Sequence, residues 1–131
     1  MIVVLDTSAA IEILLNKEES EKFKQEILKA DTVISPELYV SEITNVAWKY
    51  NKIAKFKHDE CYSMAEDGIN LIDQFIDTKE LWKEALREAI NNDQSVYDCQ
   101  YLICARRNDA VLLTKDQKLK KLCHKLTIET L

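Results

Sequence analysis

Apolar positions along this chain follow two alternating rhythms. Residues 2–5, 32–34 and 111–113 are short, nearly unbroken runs of β-branched and aliphatic side chains, the signature of a buried strand. Between them, apolar residues recur every three or four positions, as on the inner face of a helix. That spacing predicts helices over residues 8–15, 18–30, 58–71, 79–90, 95–107 and 118–126. Phe23, Ile27 and Leu28 make the inner stripe of the second of these. Ser35-Pro36-Glu37 reads as a helix start, with Ser35 as the cap and Pro36 at the first helical position. The helix it opens runs through Leu38, Ile43, Val46, Ala47 and Tyr50. Residues 79–90 are strongly amphipathic, and Leu81, Trp82, Ala85, Leu86, Ala89 and Ile90 are expected to pack on the sheet. Residues 74–76 and 127–129 read as two further short strands.

Strands separated by helices imply βαβ units and a parallel sheet covered by helices on both faces. The stretch 37–71 is long for one crossover and is expected to project beside the sheet as a helical pair. A length of 131 residues with no linker or repeat favours one domain, residues 1–131. Hydrophobic residues make up 47% and charged residues 31%, which places the chain with globular rather than disordered proteins. One Gly and one Pro argue against a turn-rich sandwich, and the lone Gly68 excludes a glycine-rich phosphate loop.

Charge and cysteine content narrow the chemistry. A net charge of −5 provides no global attraction to nucleic acid, so a polyanionic substrate would need a cation and local lysine patches. Cys61, Cys99, Cys104 and Cys123 form no C-x-x-C pair and read as reduced, structural residues. His58 and His124 do not stand at zinc-ligand spacing from a cysteine pair. No signal-peptide pattern and no apolar segment of membrane-spanning length is legible, so the expected location is the cytoplasm, with no membrane partner.

The acids carry the functional signal. Asp6 closes the first apolar run and Asp116 follows the run at 111–113, so both fall beyond the carboxyl ends of predicted parallel strands, where open α/β sheets bind ligands. Glu42 sits beside an apolar helical stripe, an unusual place for an unpaired carboxylate. Asp98 falls three residues after Ser95, a capping-box spacing at the start of a helix. Helix capping explains Asp6, Asp98 and Asp116 individually, and a salt bridge explains Glu42. Taken together, they are an all-oxygen set suited to Mg²⁺ or Mn²⁺ rather than zinc. Such ions promote phosphodiester hydrolysis. The hydroxyls of Thr7, Ser8 and Thr114 can orient a carboxylate or a metal-bound water around that set.

These residues give the chain its resemblance to PIN-domain proteins, and within them to the VapC-like toxins of VapBC toxin–antitoxin pairs. The matching segments are Val4-Leu5-Asp6-Thr7-Ser8, then Ser41-Glu42 with Asn45, then Ser95-Val96-Tyr97-Asp98 with Tyr101 and Ala105, and finally Leu113-Thr114-Lys115-Asp116 with Leu119. The resemblance spans the whole chain. It implies a three-layer α/β/α fold with a parallel sheet of about five strands. It also implies a Mg²⁺- or Mn²⁺-dependent ribonuclease in which Asp6, Glu42, Asp98 and Asp116 form the catalytic metal site. Asn45, Thr114 and Lys115 join Thr7 and Ser8 as second-shell or substrate residues. The implied partners are RNA, a small antitoxin protein and a second copy of the chain. Cys99 stands where a small Ala is more usual in the family, and is small enough to fit. Lys115, Lys118, Lys121 and Lys125, or Lys49, Lys52, Lys55 and Lys57, are candidates to hold RNA phosphates. Tyr97, Tyr101 and Trp48 either stack on bases or pack in the core.

Two alternatives remain open on the sequence. One is a PIN-domain protein that processes or binds RNA and is not a toxin. The other is a receiver-like phosphoacceptor domain with Asp77 as the acceptor and Lys115 as the late lysine, a reading that leaves Glu42 and Asp98 without a role.

Overall fold

A computed structural model describes residues 1–131. The chain runs β1 (Ile2–Leu5), α1 (Thr7–Leu14), α2 (Ser20–Lys29), β2 (Thr32–Pro36), α3 (Leu38–Ala54) and α4 (His58–Asn70). It continues with β3 (Gln74–Ile76), α5 (Thr78–Asn92), α6 (Val96–Arg107), β4 (Val111–Leu113) and α7 (Gln117–Lys125). All strand pairs are parallel, in the order β3-β2-β1-β4. The most apolar strand, β1, is therefore interior, and Val3, Val4 and Leu5 are fully buried. Helix α6 lies across β1, β2 and β4 with α5 packed outside it, while α1 packs with α2, α3 and α4, so helices flank the sheet. No helix is long and apolar enough to cross a membrane.

Register places the polar residues that follow the strands. Leu5 pairs with Leu113, so Asp6 and Thr114, each one residue further on, emerge side by side at the carboxyl edge. The backbone continues the ladder there, with the Asp6 amide donating to the Leu113 carbonyl at 3.1 Å.

Several expectations need correction. The sheet has four strands, not five. Thr127 takes a positive φ of 61°, which breaks the expected strand at 127–129. The chain rejoins the edge later, through one parallel bridge between Leu112 and Thr130. Ser35 and Pro36 do not open a helix: both lie in β2, and the buried Ser35 hydroxyl donates to the Leu5 carbonyl at 2.8 Å. Pairing with β1 outcompetes the local capping signal, and α3 begins at Leu38. The inner face of α5 packs on α6 rather than on the sheet, and buries Leu81 and Ala85. Trp82, Leu86 and Ile90 stay exposed, and Glu88 takes a buried place beside Leu81 and Ala85, accepting from Arg106 at 3.3 Å. Leu28 is exposed as well, which leaves Phe23 as the deep anchor of α2.

With one glycine in the chain, other residues adopt the left-handed conformation where helices stop: Lys55 ends α3 and Asp93 ends α5. The single Gly68 serves close approach instead. A Cβ there would stand 2.8 Å from Cγ1 of Ile43, so α3 and α4 meet backbone to side chain. The four cysteines are free thiols, and three of them belong to the core. Burial pushes Cys99 up to about 11 and Cys104 and Cys123 up to about 12, which keeps them protonated and unreactive.

Candidate active site

Each of the four acids reaches the site from a different element. Asp6 caps α1 at the end of β1, Glu42 lies on α3, Asp98 is in the first turn of α6, and Asp116 caps α7 just past β4. All four line a single cleft, together with Thr7, Ser8, Lys115 and Tyr101. They do not close on one point. No three Asp, Glu, His or Cys side chains stand close enough to form a ready-made cation cage. Local donors draw the carboxylates apart. Asp116 Oδ1 accepts from the amides of Lys118 and Leu119 at 3.0 and 3.1 Å, and Asp98 Oδ2 accepts from Gln94 at 2.9 Å. Ser95 caps the Asp98 amide at 3.1 Å, so capping and a place in the cleft coexist at the start of α6.

Asp6 is the best-held acid. It is 6% exposed. Its Oδ1 accepts from Ser8 Oγ at 2.7 Å and from the Ala9 amide at 2.9 Å, and its Oδ2 accepts from the Thr114 hydroxyl. Burial raises its pKa from 3.8 to about 6. The three hydrogen bonds oppose that rise and the neighbouring Glu42 charge adds to it. Ser8 and Thr114 also join the two strand-end corners, since Ser8 Oγ accepts from the Lys115 amide at 2.9 Å and the Thr114 hydroxyl donates to Asp6; Thr114 Oγ1 in turn accepts from the Asp116 amide at 3.1 Å.

Glu42 is held by hydroxyls. Tyr101 Oη donates to its Oε1 at 2.5 Å and Thr7 Oγ1 donates to the same oxygen at 3.1 Å. Tyr101 is thus neither free for base stacking nor merely a core ring. Burial, and then the Glu42 charge, push its phenol well above the ordinary range, so it remains a donor. Tyr97 and Trp48, by contrast, are exposed. Asn45 is exposed and stands outside the residues that line the cleft.

Glu12 is the member that sequence reasoning missed. It is only 4% exposed, and its Oε1 receives Lys115 Nζ at 2.6 Å while Oε2 receives the Glu19 amide at 3.0 Å. The Lys115 bond is the main reason that the Glu12 carboxyl is held below its ordinary range and the Lys115 ammonium above its own. The one signal was an acid inside the otherwise apolar stretch 9–15. Lys17 adds a second cleft cation, with its Nζ 3.2 Å from the Tyr50 hydroxyl.

A parallel sheet flanked by helices, with five acids lining a cleft at its carboxyl edge, defines the class of fold. The PIN domain family profile matches residues 3–125, and the chain belongs to that family. Among characterised relatives it is similar to Ribonuclease VapC3 of Pyrobaculum aerophilum, with 28% identity over 124 residues that cover 91% of this chain and 92% of that one. The fold is similar to the crystal structure of PAE2754 from Pyrobaculum aerophilum, with a TM-score of 0.73 and 20% identity over 93% of this chain and 87% of that one. It is also similar to that of VapBC2 from Rickettsia felis bound to a DNA fragment from their promoter, with a TM-score of 0.69 and 15% identity over 100% and 98% of the two chains.

Proposed function

We propose that this chain is a divalent-metal-dependent endoribonuclease and the toxin of a type II toxin–antitoxin pair. The observation that carries the reading is the convergence of Asp6, Glu42, Asp98 and Asp116 on one cleft at the carboxyl edge of the sheet. The likeness to Ribonuclease VapC3 over nearly the whole chain supports the ribonuclease assignment, and the likeness to a VapBC assembly supports an antitoxin partner.

The donor set fits a hydrated hard cation. Every candidate donor is a carboxylate oxygen, and the buried Asp6 feels the charge of Glu42, a strain that a cation relieves. Mg²⁺ retains several waters and takes only one or two protein carboxylates, so a closed cage of three acids is not required. Asp6, Glu42 and Asp98 would hold the ion, one or two of them directly and the rest through its retained waters, and Asp116 would hold a second ion or position water. A bound ion supplies positive charge for the phosphoryl oxygens and an acidified water as nucleophile. The protein's own groups do the remaining work. Ser8 and Thr114 hold Asp6 in one orientation, and Lys17 and Lys115 place positive charge in an acidic cleft where RNA phosphates must approach. Tyr97, exposed one residue before Asp98, offers a stacking face for a base. The exposed Trp48 and Tyr62, and the stripe of Trp82, Leu86 and Ile90, leave apolar surface for an antitoxin or a second copy of the chain.

Asp6→Asn and Asp98→Asn are expected to abolish cleavage of structured RNA in Mn²⁺ while preserving the circular dichroism spectrum. EDTA is expected to stop the wild-type reaction. Full cleavage by both variants overturns the assignment of the site, and cleavage indifferent to EDTA overturns the metal dependence. Induced expression in a bacterial host tests the toxin role: the wild type is expected to arrest growth and Asp6→Asn to leave it unaffected.

A further inference from the structure

Tyr101 and Asp98 share helix α6, three residues apart, whereas Glu42 belongs to α3 in the projecting helical pair. Helix α3 packs mainly on α4 and makes only a small contact with α1. The Tyr101 hydroxyl is the hydrogen-bond link from α6 to α3, and it lands on a carboxylate of the cleft. The Thr7 hydroxyl reaches the same oxygen from α1, and the two hydroxyls lie 3.2 Å apart. Two donors therefore converge on Oε1 of Glu42, and no protein donor reaches Oε2. A carboxylate with one oxygen doubly bonded to protein donors has a fixed plane and a single oxygen left to offer.

We infer that Tyr101 is a positioning residue of the metal site: with Thr7 it pins Oε1 of Glu42, fixes the spacing between the Glu42 and Asp98 helices, and leaves Oε2 of Glu42 as the single oxygen turned to the cation. The inference rests on the metal-site reading above and adds a residue that touches neither metal nor substrate. A phenol suits this role because its ring is rigid and buried, with two side-chain torsions to fix, and because the same burial that anchors the ring keeps the hydroxyl a donor. An outer-shell donor of this kind typically changes metal affinity by about 10- to 100-fold when removed.

The test uses Mn²⁺ alone, with bound and free ion resolved by electron paramagnetic resonance, so that no RNA substrate is needed. Tyr101→Phe keeps the ring and removes the hydroxyl. It is expected to weaken Mn²⁺ binding by about tenfold or more. In cleavage assays the Mn²⁺ concentration for half-maximal rate is expected to rise in parallel, with most of the rate recovered at saturating Mn²⁺. Thr7→Val is expected to weaken binding severalfold, and the double variant by less than the product of the two, because both act on one oxygen. If Tyr101→Phe fails to fold, Thr7→Val decides the matter by the same measurement. Mn²⁺ affinity unchanged in the folded variants, beside saturable binding by the wild type, overturns the positioning role and leaves the metal site standing. Absence of saturable binding by the wild type, or equal binding by Asp6→Asn, overturns the metal site and the positioning role together.

Discussion

Asp6 shows how one residue can cap a helix and yet oppose stability. It caps α1 through the Ala9 amide, and it is buried in the cleft with its pKa raised to about 6. Between the unfolded value near 3.8 and that folded value, the native state holds a proton that the unfolded chain has lost. Raising the pH through this window therefore removes stability, and the cost is complete above about 6. Asn keeps the capping oxygen and does not titrate. Each tenfold change in proton affinity corresponds to roughly 1.4 kcal/mol, so the lack of a titrating group favours Asp6→Asn at about pH 7.5 by up to about 3 kcal/mol, offset by the loss of the Oδ2 acceptor of the Thr114 hydroxyl. The advantage is expected to shrink as the pH falls from about 6 to about 4. Urea unfolding of both proteins across that range checks it, and parallel pH profiles would refute burial as the cause. A carboxylate kept in spite of its cost to stability is expected where function requires it. The sequence marked Asp6, Glu42, Asp98 and Asp116 through their places at strand ends, a helix start and a stripe edge. It did not mark Glu12 or the role of Tyr101, whose partners lie 103 and 59 residues away.

Helix boundaries were legible wherever the signal was local. Ser95 and Asp116 each accept from an amide two or three residues on, as side chains of that kind do when they cap. The signal failed where a strand competed for the same residues, as at Ser35 and Pro36, and where an apolar stripe exceeded the surface available to cover it, as on α5. The α3–α4 pair depends on Gly68, whose carbonyl also receives the buried Tyr39 hydroxyl at 2.6 Å. Gly68→Ala gains about 1 kcal/mol in helix propensity. The added methyl collides with Ile43, and overpacking of that kind costs roughly 1–3 kcal/mol. A net loss of about 1 kcal/mol is expected in urea unfolding, and a stabilised variant would show that α3 and α4 are not closely registered. Because α3 carries Glu42, the same substitution is expected to lower cleavage more than its effect on stability alone accounts for.

Strand order decides between the readings that length and element pattern left open. In the order β3-β2-β1-β4, Asp77 follows the edge strand β3, and β2 separates that strand from β1 and Asp6. A phosphoacceptor site needs its acceptor next to the acid that ends the first strand. Asp77 instead caps α5 through the Lys79 amide at 2.9 Å. Asp77→Asn keeps that acceptor and is expected to leave RNA cleavage unchanged. Neither protein is expected to gain acid-labile phosphate from acetyl phosphate. Phosphorylation lost only in the variant would restore the signalling reading. The same order sets the charge of the cleft as well as the places of its acids. The strand ends and helix starts that concentrate five carboxylates also bring Lys17 and Lys115 into the cleft, but Lys115 is paired with Glu12, so the cleft is acidic and a polyanion would need a cation there to approach.

The residues by themselves settled most of what is local: most strand and helix segments, where most helices begin, and which four acids stand near strand ends and helix starts. Hydrophobic period, capping and turn preference act over a few residues, so a linear pattern can carry them. Only the tertiary structure decided the strand count and order, the pairing of Lys115 with Glu12, and the bond from Tyr101 to Glu42. Those depend on register and on burial against distant elements, and neighbouring residues exert no force that encodes a partner so far along the chain.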